Sequence, residues 1–492
     1  MPQQYKPLHN EEDVENAAAD ATTTGENRQQ QQQQQQEANP PAVQLLMVSL
    51  FMLLFFGSSF FQPRPRLQHL KGGVGSSYDR TKYDCNIQLV ESIPIGLNYS
   101  ANSPRFLSTF EAWQQLLDSA KESLDIASFY WTLRAEDTAG VNDSSTQQGE
   151  EIFKRLLANG NGGSNRLNIR IAQSEPSSVS PNEDTKLLAS NGAADVVTLS
   201  FPKYFGGGVL HTKLWIVDGQ HFYLGSANMD WRALTQVKEM GILAQNCPQL
   251  TEDVAKIFKA YWYLGKSTDS NIPSWGYDYS TNFNLHSPMI LSVNKNTTME
   301  GFLSSSPPPL SARGRTNDLD AIINTIDSAI TYVNIAVMDY YPLIIYGQHP
   351  KYWPYIDDAL RRAAVERGVA VKLLISWWKH SNPSEDKYLK SLQDLSSKKD
   401  KIDIQIRRFI VPTDAGQEKI PFGRVNHNKY MVTDRVAYIG TSNWSGDYFT
   451  DTAGIGLVLR ETHETEQTQT LRSDLRNVFE RDWNSPYAHE LE

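Results

Sequence analysis

The chain contains the sequence HTKLWIVD at positions 211–218 and, in its second half, HNKYMVTD at positions 427–434. Both have the pattern His-x-Lys-x4-Asp, and both are followed at short range by Gly-x-x-Asn, which ends at Asn228 and Asn443. One copy of such a pattern is a weak signal. Two copies, each with its own asparagine, indicate a duplicated unit whose halves carry the same reactive groups.

The residue types in the motif suit phosphodiester chemistry. Apolar residues after each lysine predict a buried strand, on which His211 and Lys213 share one face, as do His427 and Lys429. If two such strands meet across a pseudo-twofold axis, the lysines can hold the non-bridging phosphate oxygens while the motif asparagines donate further hydrogen bonds. One neutral imidazole attacks phosphorus, and the other, protonated, gives its proton to the leaving oxygen. We therefore predict catalysis through a phosphohistidine, with no metal and no cofactor.

The wider context of the motifs resembles the phospholipase D superfamily. The stretches concerned are GVLHTK at 208–213, LGSANMDWR at 224–232 and RVNHNKYMV at 424–432. They are similar to the animal type II membrane members of the superfamily, which are endolysosomal 5′ exonucleases acting on single-stranded nucleic acid. The resemblance extends from about Cys85 to Glu492.

This resemblance implies roles for individual residues. It implies that His211 is the nucleophile and His427 the general acid, although the near-symmetry of the motifs leaves the two roles exchangeable. It also implies that Glu239 is the carboxylate that orients a catalytic histidine. The equivalent position in the second copy is Gly454, for which Asp451 is a nearby substitute. The predicted site is completed by the motif aspartates, interpreted mainly as structural residues of the turn after each strand: Asp218 and Asp434.

Alternating helical and strand patterns recur in both halves of the chain. The sequence LDIA at 124–127, after a helical stretch, is echoed by VNIA at 333–336, and each motif is followed by a helix with Phe and Trp four residues apart. This order predicts an α/β fold of two pseudo-symmetric phospholipase D-type α/β/α sandwich lobes that share one active site. The predicted boundaries are 85–265 for the first lobe, 266–286 for the linker and 287–492 for the second lobe.

The segment before the first lobe has a different composition. Residues 1–41 include a run of glutamines at 29–36 and few large apolar residues, so a disordered tail is predicted. Residues 42–61 carry no charge and are long enough to cross a bilayer, which predicts one transmembrane signal anchor followed by a stalk at 62–84. By the positive-inside rule, the excess of basic residues after the anchor would place the large domain in the cytosol.

Other features favour a lumenal catalytic domain. Cys85 and Cys247 form an even pair that is compatible with one disulfide in an oxidising compartment. Asn98, Asn142 and Asn296 lie in glycosylation sequences. Together with the family resemblance, these features favour a single-pass type II membrane protein with its tail in the cytosol. The catalytic domain is then expected in the lumen, on the route from the endoplasmic reticulum to the late endosome or lysosome.

The motif alone does not choose between nucleic acid and lipid phosphodiesters. A net charge of −10 argues against the broad basic surface of a duplex binder and allows a narrow channel for a single strand. Aromatic residues near the motifs are candidates for stacking on bases: Tyr204, Phe205, Phe222, Trp231, Trp444, Tyr448 and Phe449.

The leading hypothesis is a 5′-3′ exonuclease on single-stranded DNA and RNA that releases nucleoside 3′-phosphates. One alternative is a phospholipase D or transphosphatidylase acting on glycerophospholipids, which the membrane anchor supports. The other is an inactive membrane adaptor, against which the two complete motifs count. The sequence leaves the oligomeric state open, with a homodimer as one candidate.

Overall fold

The computed structural model describes residues 81–138, 143–178, 180–295, 297–347, 349–462 and 469–491. The predicted tail, the predicted anchor and most of the stalk lie outside these ranges, as do Asn142 and Asn296. Within the described ranges, no helix is both long and apolar enough to cross a membrane.

The first half of the described chain, residues 81–266, alternates strands and helices. Its strands are β1 (Tyr83–Ser92), β2 (Leu107–Ser108), β3 (Ser123–Ser128), β4 (Trp131–Thr132), β5 (Asn168–Ser174), β6 (Asp195–Leu199), β7 (Leu214–Val217), β8 (His221–Gly225), β9 (Met229–Asp230) and β10 (Glu239–Gln245). Its α-helices are α1 (Thr109–Ser119), α2 (Gln147–Gly160), α3 (Glu183–Ser190), α4 (Phe201–Phe205), α5 (Trp231–Thr235) and α6 (Pro248–Lys266).

The second half, residues 287–491, repeats this alternation. Its strands are β11 (Met289–Val293), β12 (Thr297–Ser306), β13 (Thr316–Asn317), β14 (Tyr332–Val337), β15 (Leu343–Ile344), β16 (Lys351–Tyr352), β17 (Ala370–Ser376), β18 (Ile404–Phe409), β19 (Lys429–Thr433), β20 (Val436–Gly440), β21 (Gly454–Glu461) and β22 (Ala488–Glu490). Its α-helices are α7 (Asp318–Ser328), α8 (Tyr355–Arg367), α9 (Glu385–Gln393), α10 (Asp447–Thr450) and α11 (Leu471–Trp483).

The strands of both halves follow the same spatial order. In the first half the order is β6-β5-β3-β7-β8-β10-β1, and in the second half it is β18-β17-β14-β19-β20-β21-β12. The early strands pair in parallel and the motif strands β7 and β19 pair antiparallel. Strands β1 and β11 pair in parallel and join the halves into one mixed sheet. The fold is mixed α/β.

Alternation along the strands divides the core into a central part and two outer parts. In β7, Leu214 and Ile216 face a central cluster that includes residues of α6 and α11. Trp215 and Val217 face an outer cluster with α1 and α2. Strand β19 divides in the same way between the central cluster and an outer cluster with α7 and α8. Burial on both faces explains why these strands are continuously apolar.

The predicted helices are present, with small shifts at their ends. Helix α1 begins after Ser108, whose hydroxyl accepts from the N–H of Glu111 while the Glu111 carboxylate accepts from the N–H of Ser108. In α6 and α11, the predicted Phe–Trp pairs stack on each other with ring centroids 6.0 and 5.6 Å apart. They pack against the central core, as expected for residues four apart on one helical face.

Two cross-connections bring the motifs together. The N–H of His211 donates to the carbonyl of Ala453 at 3.0 Å, and the N–H of His427 donates to the carbonyl of Lys238 at 2.8 Å. Each motif histidine is thus tied to the residue that precedes β21 or β10 in the other half. The strand prediction needs one correction here. Strand β7 begins after Lys213 and β19 begins at Lys429, because the residues before them pair across the halves instead.

The two cysteines form a disulfide. Cys85 lies in β1 and Cys247 precedes α6, and both are buried in the central core. The bond links β1 to the start of α6 and confirms the disulfide predicted for these two cysteines.

Candidate active site

The imidazole of His211 is held in one tautomer by the second half of the chain. Its Nδ1 lies 2.8 Å from the carbonyl oxygen of Thr441, and the side chain is 2 % exposed. Because a carbonyl oxygen only accepts, Nδ1 carries the proton and Nε2 holds the lone pair of the neutral ring. The rings of Phe129 and Tyr448 flank the imidazole, with centroids at 5.4 and 5.0 Å. His211 is therefore oriented to act through Nε2.

The imidazole of His427 is held by a carboxylate of the first half. Its Nδ1 lies 3.0 and 2.9 Å from the two carboxylate oxygens of Glu239, and both side chains are buried. Ser226 donates its hydroxyl to the same carboxylate at 2.5 Å. A carboxylate at this distance stabilises the protonated imidazole relative to the neutral one. Glu239 therefore orients His427, the histidine of the second motif.

The positive charges of the two motif lysines lie close to both histidines. Nζ of Lys213 donates to the carbonyl of His211 at 2.8 Å, and Nζ of Lys429 donates to that of His427 at 3.1 Å. Burial, followed by Lys213 and Lys429, lowers the pKa of His211 well below its usual value. Burial also lowers the pKa of His427 well below its usual value, with smaller contributions from the positive charges of Lys429, Lys213 and His211. A backbone hydrogen bond to Ser226 opposes this shift in part. The result is a buried, positively charged site that suits an anion.

The motif asparagines lie at the same site with hydrogen-bonding capacity to spare. Nδ2 of Asn228 lies 3.4 Å from the hydroxyl of Tyr130. Nδ2 of Asn443 donates to Oδ2 of Asp339 and to the hydroxyl of Tyr448, both at 3.1 Å. The Oδ1 atoms of both amides are buried and have no hydrogen-bond partner among the described residues. Each of these oxygens can pair only with a group that donates a hydrogen bond, so they do not serve as ligands of phosphate oxygens.

The two halves differ at the position of Glu239. Its counterpart is Gly454, where an added Cβ atom would lie 2.1 Å from Oγ of Ser442. A carboxylate side chain therefore does not fit there without displacing Ser442. The backbone carbonyl of Thr441 supports His211 instead, so the suggested substitution by Asp451 is not what fills this role. The site is consequently asymmetric, with a carboxylate on one histidine and a carbonyl on the other.

The motif aspartates lie away from the histidines. The carboxylate of Asp218 accepts from the backbone N–H groups of residues 121, 122 and 123 at 2.8, 3.0 and 2.7 Å. Asp434 accepts from those of residues 330 and 331 at 3.0 and 3.1 Å. Both follow the far end of the motif strand and hold the turn that leads into β3 or β14. This geometry contradicts the inclusion of Asp218 and Asp434 in the catalytic set. It agrees with the interpretation that they are structural residues.

The aromatic residues predicted to stack on bases are mostly core residues. Trp231 is 0 % and Trp444 1 % exposed, so neither presents a face to a ligand. Phe222 and Phe449 are likewise buried, the latter stacked on Trp353 at 5.3 Å. These four predictions are corrected, because Phe222 fills the central core, Trp444 and Phe449 fill an outer core, and Trp231 is fully buried with its Nε1 donating to the hydroxyl of Thr138.

The remaining three stacking candidates differ from one another. Tyr448 lies beside His211 and contacts Asn443, so it belongs to the site. Tyr204 and Phe205 are half-buried and pack against the central core, with the hydroxyl of Tyr204 donating to the carbonyl of Leu264 at 3.1 Å. A stacking role for these two stays a prediction.

Sequence reasoning missed several residues of the site. Phe129 and Tyr130 follow β3, and Met338 and Asp339 follow β14 at the same place in the second half. Asp339 and Tyr130 contact the motif asparagines, and Lys213 Nζ lies 5.8 Å from the ring centroid of Phe129. A signal was available, because strands β3 and β14 pair with the motif strands and end beside the histidines.

Comparison with known proteins identifies the family. Residues 100–414 match the family model described as "PLD3/4, PLD-like domain". The 5′-3′ exonuclease PLD3 of Xenopus tropicalis is 51 % identical over 405 residues, which are 82 % of this chain and 80 % of that protein. The Homo sapiens PLD3 of the same description is 48 % identical over 411 residues, 83 % of this chain and 82 % of that protein. The Mus musculus 5′-3′ exonuclease PLD4 is 42 % identical over 428 residues, 86 % and 82 % of the two chains.

A solved structure shows the same fold at low identity. The phosphatidylserine synthase of Haemophilus influenzae Rd KW20 superimposes with a TM-score of 0.51 at 12 % identity, covering 77 % of this chain and 84 % of that chain. This likeness concerns the fold alone. The match to the family model and the identity to the relatives, together with the paired histidine motifs, show that the chain belongs to the phospholipase D superfamily, in the family of PLD3 and PLD4.

Proposed function

We propose that this protein is a metal-independent phosphodiesterase that degrades single-stranded DNA and RNA as a 5′-3′ exonuclease. The observation that carries the proposal is the pair of buried motif histidines. Each is fixed by a hydrogen bond at Nδ1, and the positive charges of both motif lysines lower the pKa of each. Relatives that are about half identical to the chain are 5′-3′ exonucleases by name, which supports the same activity.

The proposed site belongs to both halves of the chain, which we take to be pseudo-symmetric lobes. The equal strand order of the halves supports this assignment. So do the hydrogen bonds that cross between them, from His211 to Thr441 and from His427 to Glu239. Neither half holds both a histidine and its Nδ1 partner. We therefore expect each half alone to be inactive.

In the first step, Nε2 of His211 attacks phosphorus and forms a P–N bond. The bond between phosphorus and the 5′ oxygen of the next nucleotide breaks, and His427 gives its proton to that oxygen. The lysines hold the non-bridging oxygens, where negative charge accumulates. The shortened strand leaves with a 5′-hydroxyl group.

In the second step, His427, now neutral, takes a proton from water. The hydroxide formed in this way attacks phosphorus, the P–N bond breaks and a nucleoside 3′-phosphate leaves. His211 returns to the neutral state and His427 to the protonated state. The difference in Nδ1 partners supports this division of roles, because the negative charge of Glu239 favours an imidazolium at His427 more strongly than the uncharged carbonyl of Thr441 does at His211.

We further propose that the catalytic domain lies in the endolysosomal lumen, behind a single anchor at residues 42–61. The disulfide between Cys85 and Cys247 supports an oxidising compartment. Asn98 is exposed and therefore accessible to glycosylation. A mass shift on glycosidase treatment that is lost in Asn98→Gln would support the lumenal location, whereas an unmodified Asn98, Asn142 and Asn296 would count against it.

The activity is tested on the full-length chain in detergent, at pH 5 with EDTA. The substrates are a 5′-hydroxyl, 3′-labelled single-stranded oligonucleotide and, separately, a labelled phosphatidylglycerol. Progressive shortening of the oligonucleotide, lost in His211→Ala and kept in the surface control His286→Ala, is the expected result. An inert oligonucleotide beside a converted lipid would instead assign a phospholipase D. Inertness towards both would assign the inactive adaptor.

A further inference from the structure

A cavity of about 960 Å³ opens beside the second motif. Three segments of the second half line it, with residues 377–381, then 410, 411 and 413, and then 417–424. The last segment runs directly into the strand-like stretch that carries His427. The motif histidines are not among the lining residues, so the cavity is a neighbour of the reaction centre and not the centre itself.

The walls of the cavity are rich in partly exposed aromatic rings. Phe422 stacks on His380 with centroids 5.2 Å apart and an interplanar angle of 25°, and His380 meets Trp378 edge-on at 4.8 Å. Trp377 lies next to them under the guanidinium of Arg408. All four rings are half-buried, in contrast to the aromatic residues of the cores. Partly exposed rings of this kind are suited to stacking on planar ligands.

The charge of the cavity is positive. Lys379 and Lys419 are exposed at its edge, and Arg424 forms part of its wall, against one acidic residue, Glu418. The guanidinium of Arg424 donates to the carbonyl of Pro412 and to Oε1 of Gln236, at 2.5 and 3.0 Å. Burial lowers the pKa of Arg424 to about 10, so it stays charged in acid and at neutral pH. A cavity with aromatic walls and a cationic edge fits a polyanion that carries flat rings.

A small apolar cluster lies between the cavity and the reaction centre. Trp378 packs against buried Val237, Met338 and Val425. Met338 Sδ lies 4.0 Å from Nδ2 of the motif residue Asn443, and Val425 lies two residues before His427. This cluster thus links the cavity wall to the side chain of the motif residue Asn443 through packed contacts.

The loop that forms one wall is held in an uncommon conformation. Phe422 and Arg424 have backbone φ angles of 55° and 63°, which residues other than glycine rarely adopt. Arg232 of the first half donates to the carbonyl of Pro421 at 2.6 Å, and its guanidinium lies 5.9 Å from the Phe422 ring. Such a conformation persists where the surroundings determine it. The first half therefore fixes the position of the aromatic wall relative to the motif.

We infer that this cavity binds the nucleotides on the 3′ side of the scissile phosphate, with bases stacked on Trp378 and Phe422 and phosphates at Lys379 and Lys419. The inference rests on the proposed exonuclease function, and the chemistry gives its polarity. The group that leaves phosphorus is the 5′ oxygen of the remaining strand, and His427 protonates it. The remaining strand must therefore continue from the side of His427, where the cavity begins.

Two substrates separate this inference from the proposed function. One is a 5′-hydroxyl single-stranded oligonucleotide of 20 nucleotides, a length chosen to fill the cavity, as roughly 4–16 nucleotides occupy typical single-strand sites. The other is thymidine 3′-(p-nitrophenyl phosphate), which has no nucleotide on the 3′ side. The hydrolysis of both substrates is measured for the full-length chain and for the variants Trp378→Ala, Phe422→Ala and Lys419→Glu. Tyr277→Ala, a change of an exposed ring elsewhere, is the control.

We expect the KM for the oligonucleotide to rise roughly 5- to 150-fold in each aromatic variant, since stacking of one base is worth that factor. We expect the kinetics on the nitrophenyl ester to stay within twofold of wild type, which also shows that the variants are folded. Lys419→Glu, at an exposed position, should raise the KM for the oligonucleotide most strongly at low salt.

Equal kinetics of the variants and wild type on the oligonucleotide would overturn the subsite. So would equal losses on both substrates, since these would show that the residues act on the reaction centre or on folding. A wild-type chain that leaves the oligonucleotide intact would overturn the proposed function instead.

Discussion

Nδ1 of His427 lies 2.9 Å from Oε2 of Glu239, a residue from the other half of the chain. The matching atom of His211 meets the carbonyl of Thr441 at 2.8 Å. One imidazole therefore has a negative charge behind it and the other only a dipole. Because both motifs carry the same His-x-Lys-x4-Asp pattern, this difference in partners is what distinguishes the two histidines.

Replacement of Glu239 by Gln should lower kcat far more than it changes KM. The amide keeps the size of the side chain but removes the charge that stabilises the imidazolium of His427, so we expect kcat to fall about 10²-fold or more. Steady-state kinetics on the oligonucleotide measure both constants. Glu300→Gln, at the ion pair with Arg460, is the matched control. A variant with wild-type kcat would show that the carboxylate does not support catalysis.

The pH profile should lie on the acidic side of the usual imidazole range. Burial and the two lysines lower the pKa of both histidines. His427 must be protonated to release the leaving group, so activity falls as the pH rises through its lowered pKa. We expect the basic limb of kcat/KM to have its midpoint below about 6.5, the ordinary value of histidine. A midpoint above neutrality would contradict the effect of the lysines.

The same pKa shifts should make the fold less stable in acid. Between the lowered pKa of the folded state and about 6.5, the unfolded chain binds more protons at the two histidines, so the free energy of unfolding falls as the pH falls. Each unit by which the pKa is lowered contributes about 1.4 kcal/mol. His211→Asn should therefore lose less stability than wild type between pH 7.5 and pH 5.

Thermal melts at the two pH values measure this difference. The surface variant His286→Asn should behave like wild type. If His211→Asn loses as much stability in acid as wild type does, the histidine is not buried in its neutral form.

Asp218→Ala should reduce stability and leave the chemistry intact. The change removes the carboxylate that accepts from three backbone N–H groups at the start of β3. Two of these groups belong to exposed residues and can bond to water instead, so we expect the free energy of unfolding to fall by about 1 kcal/mol. A chemical denaturation curve gives the stability, and kcat is measured well below the melting temperature. A large fall of kcat in a folded variant would return Asp218 to the catalytic set.

The sequence predicted the parts of the site that a local pattern can carry. The motif residues His211, Lys213, His427 and Lys429 and the supporting Glu239 are recognisable because their spacing repeats in both halves, or because a related family uses the same offset. The site does bring these residues together. The alternation of apolar residues also predicted the strands and helices, since burial follows the period of each element.

Other features depend on packing that no local pattern records. Trp444 and Tyr448 are both aromatic, follow the same motif and belong to the same buried cluster, yet only Tyr448 also lies beside His211. Thr441 acts through its backbone carbonyl, for which residue identity is no guide. The pairing of residues 210 and 453, and of 238 and 426, joins distant parts of the chain and appears only once the halves are assembled.

The central claim is that His211 forms the covalent bond to phosphorus and His427 supplies and removes the proton. Thymidine 3′-(p-nitrophenyl phosphate) tests it directly, because nitrophenolate leaves without a proton donor. In His427→Ala, rapid mixing should show a burst of one nitrophenolate per active site, after which turnover stops. The thymidine 3′-phosphoryl group should then remain bound to His211, where mass spectrometry under mild, non-acidic conditions detects it. His211→Ala should give no burst. A burst in His211→Ala with none in His427→Ala would contradict the assignment and exchange the two roles.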